Sequence, residues 1–159
     1  IGKFTDVLFY VEKPKESAYK IEGLETSATA SSKTEAKVEE KIDIAQLLAM
    51  GDLSHGQKVF KKCSACHMIA NDGKNMIGPN LWGVIGRKAG SIGDYKYSKA
   101  MIAYGKNWSF EEMNSYLIKP QAYIKGTKMA FAGLRKEKDR SSVILYMNSK
   151  SNNPLPLPK

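Results

Sequence analysis

The stretch that most constrains this chain is Cys63-Ser64-Ala65-Cys66-His67, in which the only two cysteines lie three apart and a histidine follows the second. At i, i+3 and i+4 these side chains share one face of a helical turn. No further cysteine exists to build a disulfide framework. Three chemistries use such a pair. Zinc takes about four ligands, and the chain adds only His55 and no second cysteine pair. A redox dithiol sits in a strand–helix setting, for which strand patterns are missing. A Cys-x-x-Cys-His run is the attachment signature of a c-type haem. Cys63 and Cys66 would form its thioethers and His67 would ligate its iron.

Haem iron held by one histidine takes a second protein ligand or stays open for chemistry. Seven methionines compete for that place. Met113 and Met147 fall in helical apolar patterns and read as core. Met68 adjoins the histidine and cannot reach the other side of a macrocycle. Met50, Met76 and Met101 have no distinctive setting. Met129 lies in Lys-Gly-Thr-Lys-Met-Ala-Phe-Ala-Gly, a loop with Gly126 and Gly133 on either side, 62 residues beyond His67. It is the expected sixth ligand. The rival is an enzyme, a peroxidase with an open or easily opened sixth position.

The surrounding pattern is all-α. Ile42, Ile44, Ala45, Leu47 and Leu48 before Gly51 predict a short helix. Ser54 is a candidate N-cap for a second helix, with Val59, Phe60 and Cys63 at helical spacing. Residues 71–96, rich in Gly and Asn, read as loops. Residues 109–119 predict a helix capped by Ser109, with Glu112 at the capping-box position and Pro120 ending it. Val143, Ile144, Tyr146 and Met147 give a last helix its apolar face. Residues 151–159 read as an extended tail.

Charge divides the chain. Residues 1–41 carry seven Lys and eight acids, whereas residues 42–159 carry 18 Lys or Arg and eight acids, a surplus of ten positive charges. That surplus steers encounter with acidic surfaces. Nucleic acid is not an expected partner, because no recognition motif accompanies the charge. Residues 25–41 consist of Glu, Lys, Ser, Thr, Ala and one Val, so residues 12–41 read as a flexible tether, with an r.m.s. span of ~30 Å. Residues 1–11 read either as a plain terminus or as the remnant after a lost membrane anchor. Their longest apolar run, Val7–Val11, is far short of the ~20 residues of a span. Residues 42–150 are the expected haem domain.

Several ordered motifs over residues 51–150 resemble class I cytochrome c of the mitochondrial-like type. Gly56, Phe60 and Tyr146 match the contact between the first and last helices. Gly78 to Gly90 resembles the loop whose proline, here Pro79, supports the histidine ligand through its carbonyl. Arg87, Tyr97 and Trp108 match positions around the haem propionates. Tyr116 matches a tyrosine near the methionine sulfur, and Thr127 lies beside Met129 in the ligand loop. Met101 stands where the family often carries asparagine. The resemblance implies helices and loops wrapped around one covalent haem c with its iron, and electron transfer rather than catalysis. With the N-terminal pattern it narrows to membrane-anchored bacterial cytochromes c. These sit on the periplasmic side of the inner membrane and carry electrons from the cytochrome bc complex to cytochrome c oxidase. Docking on acidic partner surfaces would use Lys61, Lys62, Lys74, Lys125, Lys128 and Lys136.

Overall fold

The computed structural model describes residues 43–159. The expected anchor remnant at 1–11 and the tether at 12–41 lie outside the described residues. Within them, six helices run in the order α1 (Ile44–Ala49), α2 (Leu53–Phe60), α3 (Lys99–Tyr104), α4 (Phe110–Ile118), α5 (Pro120–Tyr123) and α6 (Glu137–Ser149). No strand forms among the described residues beyond an isolated bridge between Lys88 and Asn107. No helix among them is long and apolar enough to cross a membrane.

The central packing event is α2 against α6. Gly56 makes it possible, since a Cβ there would stand 2.1 Å from the Ser142 carbonyl oxygen and 2.8 Å from Tyr146 Cβ. A bare Cα lets the two backbones approach, and Phe60 then meets Tyr146 at 5.4 Å between ring centroids. Polar groups tie the same crossing, with the Asp52 amide donating to Ser142 Oγ and His55 Nε2 lying 2.8 Å from Asp139. The core runs from Val59 and Phe60 through Met113, Tyr116 and Leu117 to Val143, Ile144 and Met147. At full burial, each such apolar side chain stabilises the fold by roughly 1.5–3 kcal/mol.

Several boundaries differ from the sequence expectation. The cap of α2 is Asp52, whose carboxylate accepts from the His55 amide at 2.7 Å, while Ser54 Oγ donates to that same carboxylate. Ser109 does cap α4, but the capping box does not close. Glu112 turns its carboxylate to Lys106 and to the phenols of Tyr104 and Tyr123, while Ser109 Oγ donates to Glu111. Pro120 follows the end of α4 and also begins α5, where its missing N–H costs nothing. Helix α3 was not foreseen. Ser98 caps it, Gly105 stops it in the left-handed conformation, and it buries Met101. The tail beyond α6 bends at residues 151–153 and is docked: Leu155 packs against the core.

Candidate functional site

Helix α2 ends at Phe60, and the chain continues through turns that carry the cysteine pair. The amides of Cys66 and His67 both donate to the Cys63 carbonyl, at 3.0 and 2.9 Å. The expected helical turn therefore forms, as a single turn beyond the helix proper. Cys63 and Cys66 are not joined in a disulfide. Burial pushes the Cys63 thiol up to about 11, the reverse of the lowered value that makes a thiol a nucleophile in exchange chemistry.

His67 is fixed from two sides. Its Nδ1 donates to the Pro79 carbonyl at 2.8 Å, which leaves the lone pair on Nε2. Behind the ring sits Gly78, where a Cβ would lie 2.2 to 2.7 Å from the imidazole atoms. Burial lowers the pKa of His67, with the Pro79 bond opposing, a shift toward the neutral form that ligates metals.

These groups line one cavity of about 330 Å³, within the range of small-molecule sites. Met129 reaches the same cavity from the loop between α5 and α6. That loop is pinned at several points. Thr127 Oγ1 accepts from the Met129 amide at 3.3 Å and lies 3.2 Å from the Tyr116 hydroxyl, and Lys128 Nζ donates to the Lys96 carbonyl. Gly126, at φ +89°, passes close to Ala100 on α3. Burial raises the Tyr116 pKa, opposed by the Thr127 contact. All six expected pocket residues, Pro79, Arg87, Tyr97, Trp108, Tyr116 and Thr127, line the cavity. Burial lowers the Arg87 pKa and raises that of Tyr97, and each residue moderates the other. Arg87 donates to the Trp82 and Asn80 carbonyls at 2.8 and 2.9 Å. Among the described residues it has no carboxylate partner.

The expected lysines divide. Lys62 and Lys128 line the cavity, whereas Lys61, Lys74, Lys125 and Lys136 are exposed without lining it. Lys62 also lies 3.8 Å from Asp139. Residues that the sequence reading missed include Lys88, Leu81, Tyr95 and Phe131. Tyr95 stacks edge-on against Tyr97 and donates its hydroxyl to the Ile77 carbonyl at 2.6 Å. Met113 and Met147 are core residues, as expected, and they also form cavity wall. Met101, given no setting by sequence, is buried in that wall.

The donor set fits a covalently held haem. Two thiols and one tautomer-fixed imidazole lie on one turn, and a thioether comes from a distant loop. The wall between them is mostly apolar. A half-buried guanidinium without a carboxylate suits the acidic substituents of the macrocycle.

Comparison with known proteins agrees with this fit. The sequence pattern of the family described as Cytochrome c matches residues 53–151. A "Cytochrome c homolog" of Rickettsia bellii (strain RML369-C) is 39% identical over 150 residues, covering 94% of this chain and 84% of the relative. Another of that description, from Rickettsia typhi (strain ATCC VR-144 / Wilmington), is 41% identical over 112 residues; the match covers 70% of this chain and 64% of that relative's length. Among solved structures, cytochrome cH from Methylobacterium extorquens aligns with a TM-score of 0.59 and 38% identity, over 63% of this chain and all of that one.

Proposed function

The chain belongs to the cytochrome c family, and we propose that it is a one-electron carrier with histidine and methionine as axial ligands, serving between a cytochrome bc complex and a terminal oxidase. Members of this family have the class I all-α fold, bind haem c and carry electrons. In this reading Cys63 and Cys66 hold the haem by thioethers, and His67 and Met129 are the axial ligands. The observation that carries it is the meeting of all four side chains in one cavity, with His67 Nδ1 already committed to Pro79.

When bound, the haem supplies a reversible one-electron couple, and a thioether opposite an imidazole raises its potential. The chain's own residues do the rest. Pro79 and Gly78 fix the imidazole tautomer and ring plane. Thr127 and Tyr116 brace the Met129 backbone, so the thioether is presented without reorganisation. Arg87, Tyr97 and Trp108 form the polar end of the cavity and offset the charge of the acidic substituents. Apolar side chains exclude water, which keeps both oxidation states in one structure. With His67 and Met129 both holding the group, no place would be left for a substrate, and the chemistry it supplies would be electron exchange alone.

The exposed lysines orient docking. Lys62 and Lys128 lie at the cavity itself, and Lys61, Lys74, Lys125 and Lys136 extend the positive field. That field favours acidic partner surfaces, such as the bc complex and the oxidase, on the periplasmic side of a bacterial inner membrane. A membrane tether through residues 1–41 would raise the effective concentration at those partners.

The attachment is tested on a haem-stained denaturing gel of the holoprotein. The wild type retains stain, while Cys63→Ala with Cys66→Ala loses it. Retained stain in the double variant contradicts attachment at this site.

A further inference from the structure

The docked tail bears on the polar end of the cavity. Asn148, near the end of α6 and 6% exposed, clamps Leu155 at both backbone groups: Nδ2 donates to the Leu155 carbonyl at 2.9 Å, and the Leu155 amide donates to Oδ1 at 3.0 Å. This copies the two-bond exchange of a strand pair within a single residue. The clamp turns the chain back so that Leu155 covers the bare face of Gly86. Its branched end comes within 3.3 to 3.4 Å of where a Cβ on Gly86 would stand. Gly86 holds φ at +85°, a conformation that no larger residue adopts without strain.

Gly86 is one residue from Arg87 and shares its anchorage. The Gly86 amide donates to the Trp108 carbonyl at 2.7 Å, and the Trp108 amide donates to the Arg87 carbonyl at 2.9 Å. A second tie sits upstream, where the Gly83 amide donates to the Lys150 carbonyl at 2.8 Å. The tail thus presses on the segment that delivers Arg87 and Trp108 to the cavity.

We propose that Leu155 and its clamp Asn148 are positioning residues, a C-terminal strap that holds the Gly86–Arg87–Trp108 corner against the haem cavity and so sets the redox potential. The redox part rests on the haem reading above; the mechanical part does not. A guanidinium held near the iron disfavours the more positive ferric state by Coulomb repulsion. Slackening the corner lets Arg87 move away and water enter, and the potential falls.

The experiment compares purified holoprotein variants by amide hydrogen exchange and by potentiometric titration. Leu155→Ala, Asn148→Ala and deletion of residues 154–159 each speed exchange at the Gly86 and Trp108 amides by about tenfold or more. Each also lowers the midpoint potential, while exchange at the Met129 amide stays as in the wild type. Leu155→Met restores both. Leu157→Ala, at a side chain 53% exposed, changes neither. Ile44→Ala on α1 lowers the melting temperature without moving the potential, which separates positioning from general stability. If the deletion does not fold, the single substitutions decide. Leu155→Ala matching Leu157→Ala in exchange at Gly86 and Trp108 overturns the strap. Faster exchange there with an unmoved potential overturns the redox role. A failed haem stain in the wild type would instead reject the haem reading, and the exchange comparison would still judge the strap.

Discussion

Gly78→Ala touches no ligand atom by substitution, yet the structure places its consequence on His67. A Cβ at position 78 would stand 2.2 Å from Cε1, 2.6 Å from Nδ1 and 2.7 Å from Nε2, all well inside the 3.4 Å at which ordinary contact begins. Gly78 is buried, and its amide donates to the Cys66 carbonyl at 2.8 Å. The backbone therefore cannot withdraw without breaking the turn that carries the cysteine, so the imidazole must move. A displacement of that size stretches the 2.8 Å bond from Nδ1 to Pro79 beyond hydrogen-bonding range. Overpacking costs about 1–3 kcal/mol, and the lost hydrogen bond adds a net 0.5–1.5 or so. The total is roughly 2–4 kcal/mol. At about 4–8 °C per kcal/mol for a domain near 100 residues, the melting temperature falls by roughly 8–32 °C. The matched control is Gly93→Ala, where nothing lies within 4 Å of the added methyl. The assay is thermal unfolding of both holoproteins, followed at the Soret band together with carbon monoxide binding in the ferrous state. Gly78→Ala loses stability and gains carbon monoxide binding as its histidine is displaced. A Gly78→Ala protein that melts with Gly93→Ala and keeps the wild-type spectrum refutes the cradle.

Two further expectations follow from charge. The Asp139 carboxyl is held below its ordinary 3.8, chiefly by the hydrogen bond from His55, which outweighs the opposing effect of burial, with smaller help from Lys62 and Lys136. A depressed carboxylate contributes stability that is present above its unfolded pKa and is lost as pH falls through the folded one. Wild type should therefore exceed Asp139→Asn in denaturant midpoint at pH 5, with the gap closing below about pH 3.8; a gap that widens on acidification is the contrary result. Electron transfer to an acidic partner should slow as ionic strength rises from 0.01 to 0.15 M, where the screening length shortens from about 30 to about 8 Å. Stopped-flow rates that stay flat across that range would discard the lysine field.

How much of this was legible in sequence depends on how local each cause is. Cys63, Cys66 and His67 declare themselves because one turn brings them together. Met129 was found by its loop setting, since glycines on both sides let a chain cross a cavity. Pro79, Arg87, Tyr97, Trp108, Tyr116 and Thr127 came from family resemblance alone, and no spacing rule links such scattered positions. Ser54 lost the cap of α2 because Asp52 lies two residues earlier and a carboxylate accepts more strongly; the serine hydroxyl then became a donor to it. Glu112 left its capping box for Lys106 and two tyrosines that only tertiary packing brings near. In helix α3 five apolar residues in a row follow Lys99 with no polar face to mark a period, and so Met101 looked idle until its helix closed the cavity wall. The tail gave no sign of docking, since its partner Asn148 is an ordinary polar residue in a helix until Leu155 folds back on it.

The central claim is that Met129 closes the iron to everything but electrons, and one ferric spectrum tests it most directly. In wild-type holoprotein the sulfur-to-iron charge-transfer band appears in the far red with a low-spin Soret region. In Met129→Ala the far-red band disappears, whereas in Met76→Ala, at an exposed methionine, it persists. A high-spin wild-type spectrum, or a far-red band that survives Met129→Ala, contradicts the account.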